Sequence, residues 1–276
     1  MKVSGPNGQD APRRSQVVAD ASATPAASAD RAGPRAESLR AAFDARLAAI
    51  WDERCEASLD EHGYALLAGV LRPSECSALC TRYGDDAAFR KTVVMERHGF
   101  GRGEYRYFRT PLPPAVQALR AALYPLLVPT ANRWWQQLGL AERFPATLDQ
   151  CLERSHAAGQ ALPTPLLLRY GPGDYNCLHQ DLYGAFWFPL QAAFLLDQPG
   201  QAFTGGEFVL VEQRPRMQSR PVVVPLERGD GVVFACNHRP RSGARGFHRT
   251  VLRHGVSEIR SGQRHTLGVI FHDAAT

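Results

Sequence analysis

The amino-acid sequence predicts a mainly β protein whose N-terminal part is helical. After Gln160, strand-like runs follow one another in quick succession, and clusters of Gly, Pro, Asn or Asp separate most of them. Before that point, apolar residues recur at the three- and four-residue spacing of amphipathic helices. Many short strands with turn residues between them are typical of a β-sandwich or a β-barrel. The runs cover residues 165–171, 188–197, 206–213, 220–226, 231–237, 250–259 and 264–273.

The first 35 residues are predicted to form a disordered tail. Residues 1–35 contain no Leu, Ile or aromatic residue and are dense in Ala, Ser, Pro and Gly. Such a composition cannot bury enough apolar surface to form a core. From Glu37 onward an apolar stripe predicts a helix, and the stripe consists of Leu39, Phe43, Leu47 and Ile50.

Residues 36–160 are predicted to be a mostly helical support for the β-rich residues 161–276, the two together forming one integrated domain. Pro125 and Pro129 are expected to break or kink the longest helix, because proline lacks the backbone donor that a helix interior needs. The predicted helices here cover residues 73–84, 113–139 and 146–159, and the predicted strands cover 63–71 and 104–108.

Composition excludes several classes of protein. No stretch among the 276 residues approaches the roughly 20 apolar residues that a membrane-spanning helix needs. The N-terminus lacks the apolar segment of a secretory signal, so a cytoplasmic protein without a membrane partner is expected. The six cysteines form no CxxC pair and are interpreted as reduced thiols. The oligomeric state is left open by the sequence.

The positive charge is concentrated in the C-terminal part of the chain. The formal net charge is +5, and the residues from Arg214 to Arg264 include 11 arginines and 3 acidic residues. A basic face suits nucleic acid or another polyanion. An ordinary solvated surface explains the same charge, and the charge pattern alone does not separate the two interpretations.

The segment "LRYGPGDYNCLHQDLYG" carries the first candidate site. His179 and Asp181 are two residues apart after a Gly/Pro turn, so on an extended strand both side chains point to one face. Burying a carboxylate is costly unless it is paired or binds a metal. Two histidines and one carboxylate with open positions are typical of non-haem Fe(II) oxygenases, and such a triad needs a second, distant histidine.

The ordered motifs of residues 161–276 resemble those of the 2-oxoglutarate/Fe(II)-dependent dioxygenases. The pattern is the HxD of His179, a distant HxV at His254, and Arg264 ten residues further on. "YGPGDYNCLHQD", "TGGEF" and "GDGVVF" resemble the corresponding segments of the prolyl-4-hydroxylase-like branch. The resemblance implies a double-stranded β-helix, the jelly roll of the cupin-like class, flanked by helices.

The resemblance also implies a role for each matched residue. His179, Asp181 and His254 are expected to bind Fe(II), with O2 and 2-oxoglutarate as co-substrates and ascorbate as an optional aid. Arg264 is expected to hold the far carboxylate of 2-oxoglutarate, since a guanidinium binds a carboxylate bidentately. Thr266, on the same face of its strand, and Tyr170 are expected to assist it.

The distal histidine has an alternative. His248 precedes His254 by an even number of residues, so both would face the same side of one strand. The HGV context of His254 and its distance from Arg264 favour His254. His265 should point away from Arg264 and is interpreted as a packed or surface residue.

Longer segments, such as "FTGGEFVLVEQRPRMQSR", resemble a prokaryotic family of predicted oxygenases assigned to oxidative demethylation of damaged nucleic acid, by likeness to the AlkB dealkylases. This resemblance implies alkylated DNA or RNA as partner, bound through the Arg-rich face, and a role in DNA repair. The AlkB-like RxxxxxR pattern is absent, because Ile270 stands where its second arginine would be. Hydroxylation of a protein side chain or a small molecule, and a non-catalytic cupin-like binding module, are the alternatives.

Overall fold

The computed structural model describes residues 34–213, 217–244 and 246–275. The predicted tail therefore lies outside the described residues, except for its last two positions, which begin the first helix. The helices are α1 (Pro34–Ile50), α2 (Glu53–His62), α3 (Pro73–Arg82), α4 (Pro114–Gln137) and α5 (Leu148–Ala157). All six cysteines are free thiols. Within the described ranges, no helix is both long and apolar enough to cross a membrane.

The strands confirm the mainly β character of the chain after residue 160. They are β1 (Tyr64–Leu67), β2 (Phe89–Val94), β3 (Gly101–Arg102), β4 (Glu104–Phe108), β5 (Leu166–Tyr170), β6 (Tyr175–His179), β7 (Leu190–Leu195), β8 (Phe203–Gly205), β9 (Phe208–Gln213), β10 (Arg220–Val224), β11 (Gly231–Ala235), β12 (His238–Gly243), β13 (Gly246–Val256), β14 (Ile259–Gly262) and β15 (Arg264–Ile270).

The strands build a jelly roll from two antiparallel sheets. The larger sheet has the order β1-β11-β7-β15-β5-β4-β2, and the smaller has the order β10-β9-β13-β6-β3 with β12 paired to β13. From β5 to β15 the chain crosses repeatedly between the two sheets. Phe208 of the smaller sheet packs against Phe234 of the larger one, with ring centroids 5.1 Å apart. The predicted jelly-roll class is thus confirmed, and its interior lies between the sheets.

The N-terminal residues contribute strands as well as helices. β1 pairs with β11 at one edge of the larger sheet, and β4 pairs with β5 at the other. The short β3 pairs with β6 in the smaller sheet. Residues before position 160 therefore extend both sheets of the jelly roll. The boundary predicted at residue 160 stays a prediction.

Helix α4 covers the outer face of the larger sheet. It runs without a break through Pro125 and Pro129, so the predicted break is wrong. Two long rows of its side chains are buried, and this burial outweighs the hydrogen bonds that the prolines cannot donate. The buried Arg120 donates from Nε to the carbonyl oxygen of Ile270 (2.8 Å) and pairs with Asp273 (2.9 Å), which fixes α4 to the end of β15.

A cluster around Asp197 fixes the beginning of β15. The Asp197 carboxylate accepts hydrogen bonds from the backbone N–H of His265 and from its Nδ1 (2.8 Å). The thiol of Cys80 on α3 lies 3.7 Å from the other carboxylate oxygen. His265 is thus buried on the side of its strand away from the interior, as predicted. This contact holds α3 against the strand that begins with Arg264.

Candidate active site

A cavity of about 230 Å³ opens between the two sheets. Its wall surface is mostly apolar, although about half of the residues that line it carry a polar or charged group. The larger sheet contributes Arg264, Thr266 and Tyr170, and the smaller sheet contributes His254 and His179. An apolar cavity with a few convergent polar groups is the usual form of a small-molecule site.

Three side chains in this cavity form a cluster suited to a metal ion. His179 is the last residue of β6, Asp181 follows just after the strand ends, and His254 lies opposite His179 on β13. His254 Nε2 is 3.1 Å from Asp181 Oδ2, and His179 Nε2 is 3.6 Å from Asp181 Oδ1. The ligand atoms of all three lie within 4.8 Å of one another. The β-ladder therefore brings together the three residues that the sequence predicts.

Hydrogen bonds orient the members of this cluster. His179 Nδ1 donates to the carbonyl oxygen of Cys177 (2.8 Å), so the lone pair is on Nε2, which faces Asp181. The Tyr183 hydroxyl donates to Asp181 Oδ1 (2.7 Å). These contacts fix the orientation of the His179 ring and of the Asp181 carboxylate, which lies between the two imidazoles. Holding ligands through such outer hydrogen bonds is a regular feature of metal sites.

The electrostatic setting keeps these groups in their metal-binding forms. Burial opposes ionisation of Asp181, but the neighbouring His179 and His254 and the hydrogen bonds from His254 and Tyr183 prevail, so its pKa lies well below the usual range. Burial and the proximity of His179 lower the pKa of His254. A carboxylate and a neutral imidazole are the forms that coordinate a metal.

At the other end of the cavity lies a buried cation. Arg264 is only 1% exposed and donates from one terminal nitrogen to Thr266 Oγ1 (2.5 Å). Its guanidinium carbon is 5.7 Å from the Tyr170 ring centroid, and its Nε has no hydrogen-bond partner in the described part of the chain. Burial lowers the pKa of Arg264. A buried guanidinium without a carboxylate beside it favours an anionic ligand.

Tyr170 lies next to this cation. It is fully buried on β5 and pairs with Arg264 in the sheet. Its hydroxyl accepts a hydrogen bond from Asn176 Nδ2 (3.3 Å). Burial raises the pKa of Tyr170, so the phenol keeps its proton and can donate it in a hydrogen bond. Arg264, Thr266 and Tyr170 therefore offer three donors at one end of the cavity.

The residues present fit Fe(II) and a dicarboxylate co-substrate. Two imidazoles and one carboxylate that converge from one side leave the other side of a metal ion open, as in non-haem Fe(II) oxygenases. The guanidinium of Arg264, whose Nε has no partner in the described part of the chain, lies in the same cavity and matches a terminal carboxylate.

The competing histidine is excluded from the cluster by its position. His248 lies six residues before His254 on β13, and its side chain is exposed beyond the body of the jelly roll. The buried positions with the same parity on this strand are Thr250, Leu252, His254 and Val256. The even spacing of the two histidines was a correct guide to the face of the strand, but only His254 lies in its buried part.

Several polar residues of the cavity were missed by the sequence analysis, among them Asn176, Gln180, Tyr183 and Gln191. Tyr183 contacts Asp181 as described, and Gln191 on β7 is 3% exposed, with its Nε2 buried and without a partner in the described ranges. The spacing of Tyr183, two residues after Asp181, was the one available signal. Gln191 interrupts an apolar run of the sequence. Because a buried polar side chain needs a partner, this interruption was a signal that could have identified Gln191 as a cavity residue.

Four of the eight described arginines of the basic C-terminal span contact carbonyl or carboxylate oxygens of the protein. Arg239 is fully buried and donates to the carbonyl oxygen atoms of Asp60 and Glu61 (both 2.9 Å). Arg241 pairs with Glu212 (2.9 Å). Arg228 binds the Pro73 carbonyl, Arg260 pairs with Glu207, and Arg264 lies in the cavity. Exposed side chains remain at Arg220, Arg249 and Arg253, while Arg214, Arg216 and Arg245 lie outside the described residues.

The fold and the site define a 2-oxoglutarate- and Fe(II)-dependent dioxygenase, whose cofactors are Fe(II), 2-oxoglutarate and O2. The chain belongs to the family described as "Oxygenase, catalysing oxidative methylation of damaged DNA", whose model matches residues 103–274. It is 46% identical over 208 residues to an uncharacterized protein found in two strains of Mycobacterium tuberculosis, with 75% of this chain and 84% of that protein covered.

Solved structures with low sequence identity also align with the chain. A prolyl-4-hydroxylase from Pseudomonas putida is 16% identical, with a TM-score of 0.47 over 78% of this chain and 95% of that chain. An oxidoreductase of the 2OG-Fe(II) oxygenase family from Burkholderia pseudomallei is 17% identical, with a TM-score of 0.48 over 80% of this chain and 91% of that chain.

Proposed function

We propose that this dioxygenase removes methyl groups oxidatively from alkylated nucleic acid. The observation that carries the proposal is the triad of His179, Asp181 and His254 facing an apolar cavity, in a chain whose family is described by action on damaged DNA. In this proposal the triad binds Fe(II) through the two Nε2 atoms and a carboxylate oxygen. The location in the cytoplasm stays a prediction.

Arg264, Thr266 and Tyr170 hold the co-substrate in this proposal. The guanidinium neutralises the far carboxylate of 2-oxoglutarate, and the two hydroxyl groups add hydrogen bonds. Because most of the cavity wall is apolar, water screens the attraction between Arg264 and a bound carboxylate only weakly. Arg264 and the triad lie in one cavity, so one small molecule held at the arginine can extend towards the metal ligands.

With Fe(II) bound, the site supplies the oxidation of a C–H bond, coupled to conversion of 2-oxoglutarate and O2 into succinate and CO2. One oxygen atom of O2 enters succinate, and the other enters the methyl group as a hydroxyl. The resulting hydroxymethyl group on nitrogen breaks down to formaldehyde and the restored base. The apolar walls, including Phe208, Phe234 and Val256, exclude water from the reacting methyl group.

A protein side chain or a small molecule is the second candidate substrate. Several arginines of the C-terminal span contact carbonyl or carboxylate oxygens of the protein. These arginines are less available to bind phosphates, which favours a substrate without a polyanionic backbone. Such a substrate predicts turnover that does not depend on a polyanion. A non-catalytic binding module is disfavoured because the three metal-ligand atoms and the buried arginine converge in one cavity.

The test is formation of succinate and formaldehyde from 2-oxoglutarate under air, with Fe(II) and ascorbate. Wild type and His254→Ala are compared with and without a methylated single-stranded oligonucleotide. Stimulation by the oligonucleotide with equimolar formaldehyde, absent in the variant, supports the proposal. Slow succinate formation that the oligonucleotide does not change overturns nucleic acid as substrate, and a protein extract or metabolite mixture then tests the second candidate.

A further inference from the structure

The rim of the cavity carries an aromatic side chain that neither the metal nor the co-substrate requires. Phe100 lines the cavity, yet 48% of its surface is exposed. Its backbone is held on both sides, since its N–H donates to the Met95 carbonyl (3.2 Å) and its carbonyl accepts from the Cys177 N–H (2.9 Å). Phe100 is therefore fixed to β6, the strand that ends in His179, and its exposure is a property of the folded site.

A second ring backs Phe100. The His98 ring lies 5.3 Å from the Phe100 ring, centroid to centroid, with an angle of 23° between the planes. Stacked rings in this arrangement offer an extended flat face. Leu182, in the loop that follows Asp181, also lines the cavity and is 45% exposed. Two exposed apolar side chains therefore line the cavity. Phe100 directly precedes β3, and Leu182 lies in the loop that follows Asp181.

Positive charge accompanies this aromatic pair. Arg97 and Arg102 flank it in sequence, and both side chains are exposed. The nearest carboxylate to Arg102 is Glu96, with 3.8 Å between Nε and Oε1, and both partners are more than half exposed. Exposed ion pairs of this length contribute little and are easily exchanged. A flat apolar face next to mobile cations is the combination with which proteins bind single-stranded nucleic acid.

We propose that Phe100, stacked on His98, is the platform on which the nucleobase lies while its methyl group enters the cavity. Arg97 and Arg102 bind the phosphates on either side of that base. The inference rests on the proposed function. It adds the residues that recognise the planar base and the phosphates of the substrate. It also explains why "FGRGEYRYF" carries aromatic and basic residues so close together: Phe100 and Tyr105 line the cavity, and Arg102 between them in sequence is exposed.

The test uses the full chain loaded with Mn(II) and 2-oxoglutarate, which binds substrate without turnover. The probe is a single-stranded oligonucleotide with one N-methylated base next to 2-aminopurine, whose fluorescence is quenched by stacking. Phe100→Ala removes one base–aromatic stack, so it is expected to raise the Kd for the oligonucleotide about five- to 150-fold. The variant should also abolish the change in 2-aminopurine fluorescence on binding. Phe100→Trp should retain both. Phe247→Ala is the matched control, since Phe247 is equally exposed (49%) on β13 but does not line the cavity.

The outcomes separate this inference from the proposed function. If the oligonucleotide binds wild type and is demethylated, while Phe100→Ala binds and quenches as wild type does, the platform is wrong and the function stands. If wild type binds no oligonucleotide and its succinate formation is unchanged, both fail. Equal losses in Phe100→Ala and Phe247→Ala also overturn the platform, because the effect then has no connection with the cavity entrance.

Discussion

The Tyr183 hydroxyl donates a 2.7 Å hydrogen bond to Oδ1 of Asp181. The other oxygen of this carboxylate, Oδ2, lies 3.1 Å from His254 Nε2. One oxygen is therefore held by a neutral donor, and the other is turned towards the second imidazole of the triad. A hydrogen bond on Oδ1 fixes the carboxylate plane, which makes Tyr183 a positioning residue for the metal ligand.

Tyr183→Phe is expected to weaken binding of Fe(II) or Mn(II) about 10- to 100-fold, because outer hydrogen-bond partners of metal ligands typically have effects of this size. The measurement is a Mn(II) titration followed by electron paramagnetic resonance, which reports free and bound ion directly. Tyr64→Phe, on β1 at one edge of the larger sheet, is the matched control. Unchanged affinity in Tyr183→Phe would show that strand geometry alone positions Asp181.

Arg264 provides a prediction about the co-substrate. Arg264→Ala is expected to raise the KM for 2-oxoglutarate about 10- to 150-fold, since hydrogen bonds to charged groups contribute roughly 1.5–3 kcal/mol. Arg264→Lys keeps the charge but loses the bidentate geometry and should give an intermediate value. The KM is measured from succinate formation, with Arg260→Ala, a surface partner of Glu207, as control. Equal KM values for all variants would contradict the assignment.

The two histidines of β13 give opposite predictions. His254→Ala removes a buried ligand and should abolish stoichiometric Fe(II) binding, whereas His248→Ala removes an exposed side chain and should leave it unchanged. Equilibrium dialysis followed by metal analysis measures both. Circular dichroism shows whether each variant is folded. Loss of binding in His248→Ala alone would reverse the assignment of the distal ligand.

The metal-ligand cluster could be predicted because its parts are encoded by local spacing. The two-residue spacing of His179 and Asp181 places both at the end of β6, and His254 lies on β13, which pairs with β6 once the jelly roll forms. The interior strands were equally accessible, because β7 and β11 are almost continuous runs of apolar residues. The spacing and the apolar runs are local signals, whereas His254 was identified through the resemblance of a distant motif.

Other features depend on tertiary contacts and could not be predicted in the same way. β12 has the sequence HRPRSG, which favours a turn, and becomes a strand only through pairing with β13. Helix α4 continues through two prolines because its packing against the sheet outweighs their local effect. The basic span looked like a surface, yet Arg239 is buried with carbonyl and carboxylate partners that come from distant segments.

His272 provides a prediction about pH. Burial lowers its pKa to about 4, below the value of about 6.5 expected in the unfolded chain. Between these two values the unfolded state binds more protons, so the free energy of unfolding falls as the pH decreases from about 6.5 to about 4. The full difference corresponds to an upper bound of about 3 kcal/mol.

His272→Gln should lack this part of the pH dependence, since glutamine does not titrate. The measurement is urea unfolding of the metal-free protein at several pH values, with wild type and variant compared at each. Metal-free protein is needed because proton and metal compete for the triad. If the free energy of unfolding changes equally with pH in wild type and His272→Gln between about pH 4 and pH 6.5, His272 is not the cause of the pH dependence.

Arg120 provides a prediction about stability. Its side chain is buried in α4, where it donates to the Ile270 carbonyl (2.8 Å) and pairs with Asp273 (2.9 Å). Arg120→Ala leaves the Asp273 carboxylate in the interior without its arginine partner, and breaking a buried pair in this way typically costs about 3–5 kcal/mol. Arg40→Ala breaks an exposed pair with Asp44, for which about 0.3–0.5 kcal/mol is expected. Urea unfolding of both variants measures the contrast, and similar losses in the two would mean that α4 is held to β15 by apolar packing rather than by this ion pair.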